Sequence, residues 1–299
     1  MGDTDFYKTL LDYIDEGVYF VDLEGRITFW NKAAEKISGY SEQEAVGKRC
    51  SEKIWMHVSD HEPGLCLTSC PLKKSNIDGI SPTANGYLHH KEGFLLPVAV
   101  RVALLKNDNG EISGGVEFFS DNSSKIAAFQ RMLELKGPAC MDPLTEVAGK
   151  KYLEIFIQSS LDELQRYEWP FGILSIDLDH LKACNYYHGH EIGDRLLKMV
   201  AMTLAKNARS FDAIGRWGGQ EFIFVIFNTN PAHLFDISER YRKLIACSKL
   251  IVNDKAISVT VSIGATIARK NDSFESIMQR ADKAMLKSKS SGRNCVTIE

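Results

Sequence analysis

The apolar run Phe171-Gly172-Ile173-Leu174-Ser175-Ile176, which ends abruptly in Asp177-Leu178-Asp179, constrains this chain more than any other feature. A run of this length and character reads as a buried strand, the kind found in a sheet with helices packed over it. The flanking sequence supplies those partners. Glu191 to Lys206 places Ile192, Leu196, Leu197, Val200 and Leu204 on one helical face. Further helices are expected around Ala232 to Cys247 and Phe274 to Lys289, with a strand over Ile257 to Ile267 between them and a final strand at Cys295 to Ile298. Ala213 to Trp217 and Phe222 to Phe227 flank Gly218-Gly219-Gln220-Glu221, which reads as a hairpin with glycines at its tip.

The N-terminal part follows another pattern. Gly17 to Asp22 and Arg26 to Trp30 are strand-length apolar stretches around the turn Leu23-Glu24-Gly25. Asn31 through Ile37 reads as a helix, and Ser41-Glu42-Gln43-Glu44 as a capping box opening another. Gly86 to His90, Phe94 to Leu105 and Gly110 to Ser120 are strand-like and joined by turn sequences. Their sum is a five-stranded antiparallel sheet with helices between its second and third strands. From Asn122 to Lys136, Ile126, Phe129 and Leu133 fall at helical spacing, which predicts a connecting helix that Gly137-Pro138 stops. The expected fold class is α+β, divided into residues 1–121, a linker helix at 122–141, and a helix-covered α/β domain at 142–299.

Composition narrows the function classes. A length of 299 residues suits two domains, and 44% hydrophobic with 25% charged residues is globular. The net charge of -3 argues against a nucleic-acid backbone as the main partner. No apolar run reaches the roughly 20 residues of a membrane span. The start, Met1-Gly2-Asp3-Thr4-Asp5, is acidic where a signal peptide is basic, so a cytoplasmic protein is expected. Seven cysteines, an odd number in a chain of this size, are expected as reduced thiols.

Chemistry concentrates in the second half. Residues two apart on a strand share a face, so Asp177 and Asp179 leaving the buried strand are placed to meet Glu221 of the hairpin around a hard divalent cation. Gly218 and Gly219 let backbone approach a ligand closely. Lys289 and Arg293 supply cations suited to a triphosphate. Asn185 and Asp194 offer an amide and a carboxylate that suit a guanine edge.

Together these residues resemble the GGDEF, or diguanylate cyclase, family. The match runs through Asp142-Pro143-Leu144-Thr145, Asp177-Leu178-Asp179-His180-Leu181-Lys182, Asn185 and Gly189-His190-Glu191-Ile192-Gly193-Asp194. It continues through Arg216-Trp217-Gly218-Gly219-Gln220-Glu221-Phe222, Ser262-Ile263-Gly264, Arg280-Ala281-Asp282 and Gly292-Arg293-Asn294. The resemblance implies a palm-like fold and condensation of two GTP into cyclic di-GMP with release of two pyrophosphates, each subunit of a homodimer presenting one GTP. It implies magnesium or manganese bound by Asp177, the Leu178 carbonyl and Glu221, with Gln220, Glu221 and Lys182 at the catalytic positions. Asn185 and Asp194 would hold guanine, Lys182, Lys289 and Arg293 the phosphates, with His180, Leu181, Gly218 and Gly219 also lining the substrate. Arg209-Ser210-Phe211-Asp212 resembles the family's product-inhibition motif, completed by Arg240.

One departure bears on activity. Gln220 stands where the family has Asp or Glu, and an amide is neutral and takes no proton. The alternative to an active cyclase is therefore a weakened or inactive domain that acts as a receptor for GTP or cyclic di-GMP. A pure dimerisation scaffold is a third class. The segment Glu146-Val147-Ala148-Gly149-Lys150 also departs from the family's usual run.

Residues 5 to 121 resemble a PAS sensor domain in strand order and in the closing Asp121-Asn122-Ser123. The resemblance implies sensing of an unidentified ligand or partner, relayed through the connecting helix. Cys50, Cys66 and Cys70, with His57 and His61 nearby, leave open a metal, a redox switch or small buried thiols. His89-His90 reads as a solvated strand end.

Overall fold

Residues 3–50, 55–56, 84–107, 109–121, 140–209, 211–253 and 255–299 are described by a computed structural model of the chain. Two units emerge, Met1–Ser123 and Ser124–Glu299. The connecting helix expected over Asn122 to Lys136 lies outside the described residues, as do Cys66, Cys70, His57 and His61.

The first unit opens with α1 (Asp3–Asp12), which the sequence reading did not anticipate, and continues through β1 (Gly17–Val21) and β2 (Ile27–Trp30). Next come α2 (Lys32–Ser38), α3 (Glu42–Ala45), β3 (Trp55–Met56), β4 (Ala84–His89), β5 (Leu95–Lys106) and β6 (Ile112–Asp121). The sheet is antiparallel throughout, in the order β2-β1-β6-β5-β4-β3, so the five expected strands form it with the two-residue β3 added at one edge. Asn31 is fully buried and caps α2. Its Oδ1 accepts from the Val18 and Ala34 amides, and its Nδ2 donates to the Leu11 and Glu16 carbonyls, which ties α1 to the strand edge. The capping box at Ser41 forms. Lys91 and Ser41 donate to the Glu44 carboxylate and hold it down at about 2. His89 is buried rather than solvated, and the His90 ring stacks on Phe94 with centroids 4.3 Å apart.

The second unit comprises β7 (Ala148–Gly149), α4 (Lys150–Tyr167), β8 (Phe171–Leu178), α5 (Leu181–His188), α6 (His190–Lys206), β9 (Ala213–Gly218) and β10 (Glu221–Phe227). It continues with α7 (Pro231–Cys247), β11 (Leu250–Val252), β12 (Lys255–Ile257), β13 (Val261–Ile267), α8 (Phe274–Ser290) and β14 (Val296–Ile298). The strand order β14-β13-β8-β10-β9-β7 puts the apolar run in the middle, antiparallel to β13 and β10, with every residue of β8 buried. Ile173, Ile223 and Val225 face Leu153, Ile157 and Leu161 of α4 and Ile277 and Ala281 of α8. Strand alternation turns Leu174 and Phe224 to the opposite face, where the Phe224 ring meets Tyr241 of α7 at 4.9 Å. This is the helix-covered, palm-like sheet expected from the sequence.

The strand expected over Ile257 to Ile267 is split. Its first residue belongs to β12, which pairs with β11 in a separate hairpin, and β13 starts at Val261. The pairing of β13 with β8 continues one position past the strand ends, where the Asp179 amide donates to the Thr260 carbonyl (2.8 Å).

Candidate active site

The carboxylate-bearing end of β8 is the centre of the site. Asp177 is 6% exposed and lies in register between Glu221 of β10 and Ser262 of β13. Lys289, on the last turn of α8, places its Nζ 2.5 Å from Asp177 Oδ1, 3.2 Å from the Leu178 carbonyl and 3.2 Å from Asp179 Oδ1. Gln220 Nε2 donates to the same Asp177 Oδ1 at 2.8 Å, and the Leu178 amide donates to the Gln220 carbonyl at 3.3 Å.

Asp179 does not join Glu221 as the strand periodicity predicted. The strand ends at Leu178, and the Asp179 carboxylate turns inward, where it accepts from Thr260 Oγ1 (2.8 Å), Ser262 Oγ (2.8 Å) and the Asn294 amide (3.0 Å). Burial disfavours its charge, yet those hydrogen bonds and Lys289 outweigh the effect and hold its pKa below the ordinary carboxylate value. Asp179 is thus an anchor for the 292–295 turn and the start of β13.

Glu221 remains half-buried at the start of β10. Burial first, and then the charges of Asp177 and Asp282, push its pKa up, against Lys289 and Lys150. Asp282 enters through Ser175, whose Oγ donates to it at 2.8 Å. A carboxylate pressed upward by burial and by neighbouring anions marks a place where added positive charge is favourable. Among the described residues no group of three His, Cys, Asp or Glu side chains converges on a metal-holding geometry. Two carboxylates and a main-chain carbonyl nonetheless suit a hard cation, and the Lys289 ammonium on Asp177 and Leu178 demonstrates that these oxygens hold positive charge.

The glycine hairpin beside this strand end is braced from behind. Gly219 adopts φ +51° at the turn, and both it and Gly218 are exposed. Arg216 donates from Nη2 and Nε to the Gly219 carbonyl (2.6 and 3.0 Å) and from Nη1 to both Asp142 oxygens (3.2 and 3.3 Å). Asp142 also caps Thr145 through its amide and hydroxyl. Arg216 and Asp142 appeared in the sequence only as motif letters; the signal for their strut was an Arg two residues ahead of the glycine pair. Lys150 Nζ stands 4.7 Å over the Trp217 ring, which also packs on Phe274.

Helices α5 and α6 carry the residues read as guanine ligands. Leu181 is buried and seats α5, while His180 ahead of it takes φ +59° and is exposed. Asn185 Oδ1 is a buried acceptor with no hydrogen-bond partner, pressed against Gly193 of α6 so closely that a Cβ there would overlap it. Asp194 is exposed one residue further on. Of the three cations read as phosphate ligands, Lys289 lies on the carboxylates, whereas Lys182 and Arg293 are exposed.

The second cluster differs from an exposed ion pair. Asp212 is 7% exposed and accepts from the Phe227 amide at 3.0 Å. Burial raises its pKa to about 6, against that hydrogen bond and the charges of Arg209 and Arg240. Arg209 is exposed and meets His233 Nε2 at 3.4 Å. Arg240 lies over the Tyr241 ring, 5.1 Å from its centroid, and its Nη2 reaches the Asn207 carbonyl at 3.5 Å. Cys50 is half-buried, and the other cysteines of its expected group lie outside the described residues.

Comparison with known proteins aligns with this geometry. A family model described as "Diguanylate cyclase, GGDEF domain" matches residues 139–295, more than half the chain, and one described as "PAS fold" matches residues 5–66. The chain is 30% identical over 295 residues to the probable diguanylate cyclase DgcE of Escherichia coli, covering 96% of this chain and 26% of that protein. It is 39% identical over 128 residues to diguanylate cyclase A of Treponema denticola, covering 42% of this chain and 34% of that protein. The chain thus spans about a quarter to a third of the length of these relatives. Among solved structures, it resembles the diguanylate cyclase SiaD from Pseudomonas aeruginosa, bound to its activator SiaC (TM-score 0.54, 30% identity, 58% of this chain, 68% of that one). It also resembles the coiled coil and GGDEF domain of DgcB from Caulobacter crescentus in complex with c-di-GMP (TM-score 0.53, 26% identity, 58% of this chain, 94% of that one). No helix among the described residues is long and apolar enough to cross a membrane.

Proposed function

The chain belongs to the GGDEF family of diguanylate cyclase domains, and from that premise we propose that it condenses two GTP into cyclic di-GMP under the control of a PAS unit. The observation that carries this reading is the strand end itself: Asp177 and the Leu178 carbonyl gather a cation beside Glu221 and the glycine hairpin. Residues 142–299 carry the reaction, residues 1–121 sense an unidentified ligand, and 122–141 connect them.

In this reading Asn185 and Asp194 hold the guanine edge, the unpartnered Asn185 oxygen accepting from its N–H groups. Gly218 and Gly219 allow the phosphates close to the hairpin backbone, and Lys182, Lys289 and Arg293 neutralise them. Asp177, Leu178 and Glu221 are suited to hold magnesium or manganese, which supplies charge stabilisation at the α-phosphate and eases loss of the attacking hydroxyl's proton. Each 3'-hydroxyl forms a bond to the α-phosphorus of the other GTP, the bond to the β-phosphate bridge breaks, and pyrophosphate leaves with the electron pair. Two such transfers close the ring, which calls for a homodimer presenting the two nucleotides to each other. Arg209, Asp212 and Arg240 form the product-binding site, the guanidinium groups meeting phosphate and base of cyclic di-GMP.

A second reading follows from Gln220. Its amide donates to Asp177 and takes no proton, which favours a domain that binds nucleotide and turns it over slowly. Incubation of the full chain with GTP and magnesium, then manganese, separates the two. Cyclic di-GMP from the unsubstituted chain supports the cyclase. Product from Gln220→Glu alone supports the receptor, and product from neither overturns the enzymatic reading.

A further inference from the structure

We infer that Lys289 is a tethered cation that occupies the metal-binding oxygens of the β8 end and is drawn off them by phosphate, so that free metal and docked Lys289 exclude each other. The inference rests on the cyclase reading, which assigns Asp177 and the Leu178 carbonyl to a divalent ion. Those are the oxygens that Lys289 Nζ meets at 2.5 and 3.2 Å, with Asp179 Oδ1 a third contact at 3.2 Å. An ammonium and a divalent cation cannot share them, because their repulsion at contact distance far exceeds thermal energy even in a partly solvated site.

Lys289 is held there by more than one carboxylate. It stands on the last turn of α8, where the helix dipole favours a cation. Gln220 Nε2 meets Asp177 Oδ1 as well, so one oxygen carries two donors that a metal must displace. The side chain nevertheless retains 19% exposure, and its flexible stem allows the head group to leave the strand end for an anion arriving over the hairpin. A polyphosphate gives the ammonium a new partner and frees the Asp177 and Leu178 oxygens in the same movement. Metal alone has no such help. The site is thereby biased toward metal delivered with a nucleotide, and Lys289 acts as a positioning residue before it acts on phosphate.

Effects of opposite sign are expected on two ligands measured separately. Binding of Mn2+ alone to the full chain is followed by loss of the free-ion electron paramagnetic signal, and binding of inorganic tripolyphosphate in chelator-treated buffer by calorimetry. Lys289→Met is expected to bind Mn2+ more tightly by on the order of tenfold, the scale of removing a contacting charge, and tripolyphosphate more weakly by a similar factor. Lys287→Met removes the same charge from an exposed position on the same turn and is expected to change Mn2+ affinity less than about twofold. Lys289→Gln retains hydrogen-bond donors for the strand end, and must show the same gain in Mn2+ affinity; it stands in if the methionine variant does not fold. Unchanged or weakened Mn2+ binding in the Lys289 variants overturns the inference, as does an equal gain in Lys287→Met. Cyclic di-GMP formation by the unsubstituted chain reports on the cyclase reading separately: product without the Mn2+ gain overturns this inference alone. Absence of Mn2+ binding in every variant overturns it as well.

Discussion

Gln220 does two things that an acidic residue at the same position would do differently. Its amide bridges the hairpin to Asp177 through a 2.8 Å hydrogen bond, and it withholds a negative charge from a cluster that already contains Asp177, Glu221 and Asp282. Gln220→Glu is expected to raise the initial rate of cyclic di-GMP formation by on the order of a hundredfold, the usual scale of a positioned acid–base group. An unchanged rate would contradict the role assigned to this position. Asn185 offers a second residue-level test. Gly193→Ala forces a methyl group against the Asn185 oxygen, so the KM for GTP should rise while the thermal midpoint moves little, since the amide is the flexible end of its side chain. Asp179 is the opposite case, a buried carboxylate with partners on β13 and the 292–295 turn. Asp179→Ala leaves the Thr260 and Ser262 hydroxyls and the Asn294 amide without their acceptor and removes one of the contacts of Lys289, and is expected to cost about 3 kcal/mol or more in urea unfolding. Nothing local in Asp177-Leu178-Asp179 distinguishes the two carboxylates; the difference comes from Thr260, Ser262 and Asn294, which reach Asp179 only through the folded sheet.

At the scale of elements, α8 carries Lys289, and its start is fixed by Asp272. That carboxylate accepts from both Arg280 Nη atoms (2.5 and 2.7 Å), the Arg269 amide (2.7 Å) and Ser276 Oγ (2.8 Å). Burial opposes its charge, but these bonds prevail and bring the pKa down to about 2. A depressed folded pKa means the contribution is present above the ordinary carboxylate value and disappears as pH falls toward about 2. Acid unfolding of Asp272→Asn should therefore lack this part of the pH dependence, and the variant should be less stable at neutral pH. Element identity was largely legible. Periodicity located β8, α6, α7 and α8, and glycine placement located the β9–β10 hairpin. Helix α4 lies outside the elements expected from the sequence, although Leu153, Ile157, Leu161 and Leu164 follow helical spacing. The interruption at residues 258–260 was illegible, since a β-branched run such as Val259-Thr260-Val261 has strand propensity, and the chain changes sheet there, from the pairing of β12 with β11 to that of β13 with β8.

For the molecule as a whole, sheet order is where sequence reading stops. The pairing of β8 with β13 and β10, and of β14 parallel to β13, brings residues more than a hundred positions apart into one site, and no short-range pattern encodes it. The first unit holds its own buried charge problem. Glu117 of β6 is 2% exposed and accepts from Tyr19 Oη at 2.7 Å, and burial raises its pKa to about 8 against that hydrogen bond. The folded unit therefore binds a proton that the unfolded chain releases, so its stability should fall as pH rises from about 4.5 to about 8. Glu117→Gln should flatten that decline and stabilise the unit at the alkaline end, as read by thermal unfolding across the range. The chemistry of the second unit is read by product analysis of the full chain with GTP and manganese. Cyclic di-GMP is expected, with two pyrophosphates released for each molecule formed, at a rate that Gln220→Glu increases and Asp177→Asn abolishes. GTP left intact by both the unsubstituted chain and Gln220→Glu would contradict the proposed cyclase activity.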